Sequence, residues 1–235
     1  MDLKQVNETL NLYIRPETFP LALKLCQLSS ELPERARLPM RDFGYQITLC
    51  QGYGIARRFR WVIAIGKEDQ CCVGGASAMG FIAERPNEEQ AKRLETGKYS
   101  HLLIAPTEIA DFEPNLLLLY TNSAQAMRLA QSATRSAGDS VSAIATGGAD
   151  CGDIVARTTK SDQCQFILPS GGDRIFGGTQ DDELIFTIPW SKAEGIMNGL
   201  EETHKAGFRY PVLSDLRHAP ALPPFLQIPT MPTTG

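Results

Sequence analysis

No stretch of the 235-residue chain approaches the ~18 to 20 continuous apolar residues that a membrane span needs. The start, Met1-Asp2-Leu3-Lys4-Gln5, has neither the basic opening nor the apolar run of a secretory signal. Lys and Arg are not in excess: 23 of them against 27 acidic residues leave a net charge of -4, the opposite of the concentrated positive footprint that tracks nucleic-acid phosphates. The one basic knot, Arg57-Arg58-Phe59-Arg60, is too short to reverse this and reads as the solvated end of a helix. These absences predict a cytoplasmic protein with no membrane and no nucleic-acid partner. Histidine is scarce, and His101, His204 and His218 form no H-x-x-x-H pair, so a Cys-His couple arises only through tertiary contact. Neither G-x-G-x-x-G nor G-x-x-x-x-G-K-[ST] occurs, which disfavours a standard nucleotide loop. No C-x-x-C pair occurs either, and six cysteines are too few for a disulfide scaffold; in a reducing compartment they persist as thiols or as ligands.

What is present is an ordinary globular balance, 43% apolar and 21% charged, enough to bury a large core. One α/β domain over residues 1-207, followed by a proline-rich extended tail over 208-235, is the economical division. Helices are predicted over 2-13, Gln51 to Arg60, Gly74 to Phe81, Asn87 to Thr96, Ser123 to Gly138 and Cys151 to Arg157, with a last one opened by a Ser191/Glu194 capping box and stopping near Gly207. Strands are predicted at Leu21-Leu25, Trp61-Ile65, Leu102-Ala105, Leu116-Tyr120, Val141-Ala145, Phe166-Leu168 and Leu184-Ile188, with Glu31 to Arg41 as a surface loop. The continuous apolar run at Trp61-Ile65 reads as a central strand buried on both faces. This alternation predicts an α/β (or α+β) fold, a mixed β-sheet covered by helices. A weak internal repeat is also visible: Gln51 to Ala56 and Gln125 to Ala130 share Gln-x-x-x-x-Ala on a helix, each followed by an apolar strand and then a cysteine, Cys72 or Cys151.

Those cysteines mark the candidate site. A thiol between a strand end and a helix start faces unpaired backbone N–H groups, which favour the thiolate, the form that attacks electrophiles and binds metal. Cys50, Cys72 and Cys151 all have this placement, so they are candidate metal ligands, with Cys71 or Cys164 as a fourth, and Cys72 and Cys151 are candidate nucleophiles. Free cysteine is also among the most buried residue types, so inert packing is the competing account of each. The glycine pairs Gly74-Gly75, Gly147-Gly148, Gly171-Gly172 and Gly177-Gly178 read as tight turns or as close backbone approaches to an anion. Arg174 is placed either to clamp a carboxylate or phosphate, or to pair internally with the carboxylates of Asp181-Asp182-Glu183.

The same segments resemble the archaeal and bacterial domain-of-unknown-function 169 family. The resemblance lies in Arg15 to Leu25, in Cys50-Gln51 with Ala56-Arg57, and in Cys72-x-Gly-Gly-Ala followed by Met79-Gly80. It continues through Pro114 to Leu129, Cys151 to Ala156, Gly172-Asp173-Arg174, Asp182-Glu183-Leu184 and Ile188-Pro189, covering about residues 10 to 205. It implies a cytoplasmic protein common in anaerobes and archaea, without an established activity. It also implies cysteines at the positions of Cys50, Cys72 and Cys151, and often one where Ser170 stands here.

Three functions follow as expectations. The first is an iron-sulfur cluster or other thiolate-bound metal or redox centre on Cys50, Cys72 and Cys151, with a small anionic ligand held by Gln51, Gly74, Gly75, Gln125, Gly148 and Arg174. The second is a thiol-dependent enzyme with Cys72 or Cys151 as nucleophile. The third is a non-catalytic ligand-binding or assembly subunit, a homo-oligomer built through the tail.

Overall fold

Apolar side chains alternate along the two most buried strands, and that alternation sets the architecture. Leu116, Leu118 and Tyr120 face one core together with Leu21 and Leu23, while Leu117, Leu119 and Ala22 face a second core on the other side. A sheet apolar on both faces must be covered on both. The computed structural model describes residues 1-84, 89-138, 141-144, 147-212, 222 and 224-227. In chain order its main elements are α1 (Leu3–Tyr13), β1 (Leu21–Cys26), α2 (Pro39–Asp42), α3 (Leu49–Phe59), β2 (Ile63–Gly66), α4 (Val73–Ala78), β3 (His101–Pro106) and β4 (Leu116–Thr121). Then follow α5 (Ser123–Ala137), β5 (Ser142–Ile144), α6 (Asp150–Gly152), α7 (Thr158–Ser161), β6 (Gln165–Ile167), β7 (Leu184–Pro189) and α8 (Trp190–Lys205). Asp153–Arg157, between α6 and α7, and Asp173–Gly177 are π-helical turns.

The fold is α/β: one mixed seven-stranded sheet in the order β2-β3-β1-β4-β7-β6-β5, with helices on both faces. Only β5 and β6 pair in parallel; the other neighbours are antiparallel. Leu49, Tyr53 and Ala56 of α3, Ala78 of α4 and Ile154 to Ala156 cover the first face. Val6 and Leu10 of α1, Leu129 and Ala133 of α5, and Ile196 and Leu200 of α8 cover the second. Each half of the chain makes the same excursion. From a central strand (β1, β4) it passes through a helix (α3, α5) to an outer strand (β2, β5), then returns to insert a strand (β3, β7) beside the first. Both helices open on capping boxes, Thr48 with Gln51 and Asn122 with Gln125, so the repeated glutamines mark the same local structure.

Four sequence expectations change. Trp61-Ile65 does not form a central strand: β2 is the sheet edge, and its outer side is closed by a parallel bridge from Arg37 to Ile63, with the Arg37 guanidinium 3.8 Å from the Trp61 ring centre. Part of the Asn87-Thr96 helix lies outside the described residues, and the remainder is a single 3-10 turn, Gln90–Lys92. The Ser191/Glu194 capping box does not form, because α8 begins directly after Pro189 and the Ser191 hydroxyl donates instead to Asp162, at 2.5 Å. Arg57 is not a solvated helix end: its side chain is 0% exposed, pairs with Glu183 at 2.5 Å and lies 3.6 Å over the Tyr120 ring. Of the tail, residues 213-221, 223 and 228-235 lie outside the described residues. Phe225 stacks against Phe208, ring centres 4.7 Å apart.

The α5-α8 contact is close because Gly199 faces Ser132. A Cβ at Gly199 would stand 2.6 Å from the Ser132 carbonyl oxygen. Intrinsic propensity makes Ala better than Gly in a helix by about 1 kcal/mol, whereas overpacking costs about 1 to 3 kcal/mol. Gly199→Ala is therefore expected to lower stability by urea denaturation; a gain would show that the two helices separate freely.

Candidate functional site

The repeated excursion brings both outer strands' exits onto the same face of the sheet. After β2 the chain turns through Gln70, whose side-chain carbonyl accepts the Cys72 N–H at 3.0 Å, and starts α4. After β5 it reaches Ala149, held in the left-handed region at φ 51°, and starts α6 with Asp150 and Cys151. A non-glycine residue in that region stores about 1 to 3 kcal/mol of strain, which the packing around it must hold. The two thiols meet at Gly74: a Cβ placed there would lie 3.7 Å from the Cys72 sulfur, 3.9 Å from the Ala149 methyl and 4.0 Å from the Cys151 sulfur. Cys72 is half-buried and Cys151 buried, and Cys50 of α3 is buried and near enough for their charges to act on it.

Two carboxyl groups lie behind the sulfurs. Asp150 accepts hydrogen bonds from Ser170 N–H and Ser170 O–H, each at 2.9 Å, and from Cys151 N–H at 2.9 Å. Asp173 accepts from the Thr179 hydroxyl at 2.7 Å and the Tyr120 hydroxyl at 3.2 Å, and its own N–H donates to Ser170 Oγ at 3.3 Å. Gly177 packs on this carboxyl so closely that a Cβ would come within 2.2 Å of Asp173 Oδ1. Burial, and then the neighbouring Asp150 charge, raise Asp173 from 3.8 to about 6, against the hydrogen bonds and the Arg57 cation that favour its charged form. Asp150 is raised as well, chiefly by burial. The hydroxyl of Tyr53, one turn after Cys50, is buried with no hydrogen-bond partner among the described residues, and burial followed by the charges of Cys151, Cys50, Asp150 and Asp173 holds it protonated. An unpaired buried hydroxyl costs about 1 to 3 kcal/mol, so an oriented donor left open here is a feature to be explained.

The metal centre expected on Cys50, Cys72 and Cys151, iron-sulfur or otherwise, is corrected by this geometry. Among the described residues no group of three or more His, Cys, Asp or Glu side chains can hold a metal ion. Burial and the adjacent acids also push the Cys50 and Cys151 thiols up, away from the thiolate a metal requires. The expected positive setting is reversed for two of the sulfurs, since after burial the largest influence on Cys50 and on Cys151 is the Asp150 carboxyl.

The other expected binding residues fall in different places. Gln51 accepts the Thr48 N–H at 2.9 Å in its capping box, and Gln125 donates to the Ile14 and Arg15 carbonyls at 3.2 and 2.9 Å. A Cβ on Gly75 would lie 2.3 Å from Gln70 Nε2, so its missing side chain makes room for Gln70. The Gly148 carbonyl accepts from Lys92 Nζ at 3.2 Å. Arg174 donates to the Gln180 carbonyl at 2.7 Å and sits 3.7 Å from Asp181, the internal pairing. Sequence reasoning missed Tyr53, Tyr120, Asp150, Asp173 and Thr179 as a group. Only Tyr53 had a local signal, its i+3 spacing from Cys50 on one helix face.

Comparison with known proteins agrees with this arrangement of segments. The model of the DUF169 family, described as uncharacterised ArCR, matches residues 9-92 and 82-199. The chain belongs to the DUF169 family. This DUF169 protein is 25% identical over 235 residues to the uncharacterised protein MJ0308 of Methanocaldococcus jannaschii, a match covering 86% of this chain and 96% of that one. No solved structure matches. Among the described residues no helix is long and apolar enough to cross a membrane.

The raised Asp173 gives a pH signature. Between pH 3.8 and about 6 the folded protein keeps a proton that the unfolded chain has lost, so this group's stabilisation is complete below 3.8 and disappears as pH rises through 6. Urea midpoints measured from pH 4 to 7 are expected to fall across that window. Asp173→Asn should flatten the fall, leaving the part that belongs to Asp150; an unchanged slope would remove Asp173 from the titration.

Proposed function

We propose that this DUF169 protein is a thiol-dependent enzyme acting on a small uncharged or cationic molecule, with Cys72 as the attacking thiol. The observation that carries the reading is the approach of the half-buried Cys72 sulfur and the buried Cys151 sulfur to Gly74, at 3.7 and 4.0 Å from where its Cβ would stand. In the proposed step, Cys72 Sγ adds to the carbon of a substrate carbonyl, the C=O π pair moves onto the oxygen, and the thiol proton passes to a carboxylate of the acidic group. Asp173 takes up or releases a proton near pH 6, a suitable value for acid-base work close to neutrality. Tyr53 O–H, a buried donor with no partner among the described residues, is available to a substrate oxygen. The acids favour neutral or cationic substrates, because an anion entering beside Asp150 and Asp173 meets like charge. That is the argument against keeping the anionic ligand at this place.

Alkylation tests the reading. Cys71 is exposed and adjacent, so the parent protein for the test is Cys71→Ser. Iodoacetamide should modify Cys72 well ahead of Cys50 and Cys151, read by peptide mass spectrometry. The ratio of iodoacetamide to iodoacetate rates should exceed that of the same chain in urea by about tenfold, the effect of one like charge a few ångströms away at intermediate dielectric. Gly74→Ala, whose methyl has ordinary contact distances, should leave stability intact and slow the labelling. Equal slow labelling of all the buried and half-buried thiols, or no preference for the neutral reagent, would remove the proposal.

A further inference from the structure

Between α5 and the residues that follow α8 lies a cleft of about 410 Å³, walled by Met127, Arg128 and Gln131 on one side and by Phe208, Val212 and Phe225 on the other. None of these residues belongs to the cysteine site. Two contacts seat the chain beyond α8 on this face. The Tyr210 hydroxyl accepts from Asn122 Nδ2, at the cap of α5, at 3.1 Å. The Phe225 ring takes the room that Gly207 leaves, since a Cβ there would stand 2.5 Å from it.

Arg128 sets the chemistry of the cleft. It is 0% exposed, and its guanidinium donates only to neutral oxygens: Gln131 Oε1 at 2.9 Å, the Thr203 hydroxyl at 3.1 Å and the Leu200 carbonyl at 3.4 Å. Its Nε–H has no acceptor among the described residues. Burial lowers the Arg128 pKa and no carboxylate raises it. A cation taken out of water is costly unless an anion accompanies it. Arg209, exposed on the same wall, has no hydrogen-bond or ion-pair partner among the described residues. The two guanidiniums share one neighbourhood, since after burial both act on His204 to lower its pKa. No acidic residue is among the described walls. The remaining wall is apolar and open to solvent, with Met127, Val212, Phe225 and Leu226 between 40 and 55% exposed.

We infer that this cleft binds a small carboxylate with an apolar body, its charged end at Arg128 and Arg209 and its hydrocarbon against Phe208, Val212, Phe225 and Leu226. Both features are needed in one molecule. A bare anion leaves the apolar wall in water, a neutral hydrocarbon leaves the guanidiniums without a counter-charge, and an amine meets two like charges. The volume falls within the ~300 to 1,000 Å³ usual for small-molecule pockets. The site stands independently of the thiol chemistry.

Isothermal titration of the full chain with octanoate and with 3-phenylpropanoate is the test, one probe with an aliphatic body and one with an aromatic one. At least one should bind saturably, one to one, below ~1 mM. The amide of that same acid should bind about tenfold more weakly or worse, the worth of one charge-assisted hydrogen bond. Arg209→Met and Val212→Glu, both at exposed positions, should each weaken the binding by about tenfold while leaving the urea midpoint in place. Arg128 also ties α5 to α8, so its part is read in the unaltered protein, where the Arg128 Nε–H resonance should shift on saturation. Cys72→Ser should bind as the parent does, which separates failure here from failure at the cysteine site. The inference is overturned if neither acid saturates below ~1 mM, if the amide binds as well as the acid, or if both variants keep the parent's affinity. Saturable binding that leaves the Arg128 resonance unmoved also overturns it.

Discussion

The carboxyl of Asp173 joins parts of the chain that lie far apart in sequence. It receives a hydroxyl from Tyr120 at the end of β4 and another from Thr179 beyond its own π-helical turn, and it fills the space left by Gly177. That turn in turn lies against α3, where a Cβ on Gly54 would stand 2.6 Å from the Gly177 carbonyl. Two glycines in facing segments let backbones touch, so the segment carrying Cys50 and Tyr53 and the segment carrying Asp173 are set relative to each other by main-chain atoms. A buried charge of this kind persists only where hydrogen bonds replace water, and Asp173 has them from two hydroxyls.

The neighbouring ion pair serves the same arrangement from the other side. Arg57 projects from α3 into the core, covers the Tyr120 ring and meets Glu183 just before β7. The guanidinium thus fastens α3 to the sheet beside the acidic group, and its charge partly offsets that of Asp173. Its place in a run of basic residues disguised this role. Arg58 bonds the Gly177 and Gly178 carbonyls and Arg60 reaches Glu108, so the three arginines of one four-residue run have three different destinations.

The fold was legible wherever a periodic pattern was long enough to be unambiguous. β1, β3, β4 and β7 alternate between two apolar faces, and α5 has its cap, its stripe and its terminal Gly138 in order. β2 was misplaced in the sheet because an apolar run reports burial and not position: the segment around Arg37 covers the edge, so an edge strand reads like a central one. The site was half legible. Cysteines stand out by rarity and by their place after strands, and their convergence followed from the repeated excursion. The acids and tyrosines did not stand out, since Asp150, Asp173 and Tyr120 matter through partners 20 to 53 residues away. The metal expectation failed for a related reason: proximity of thiols is visible in a pattern, whereas the acids and burial that keep two of them protonated are not.

The paired excursions also determine when the thiol site comes into being. Cys72 belongs to the first half of the chain and Cys151 to the second, and the sheet unites the halves only through the antiparallel pairing of β1 with β4. The first half by itself therefore carries Cys50 and Cys72 without Cys151 and without the carboxyls of Asp150 and Asp173. The arrangement is complete only when β7, which pairs with β4 and follows Asp173, has joined the sheet.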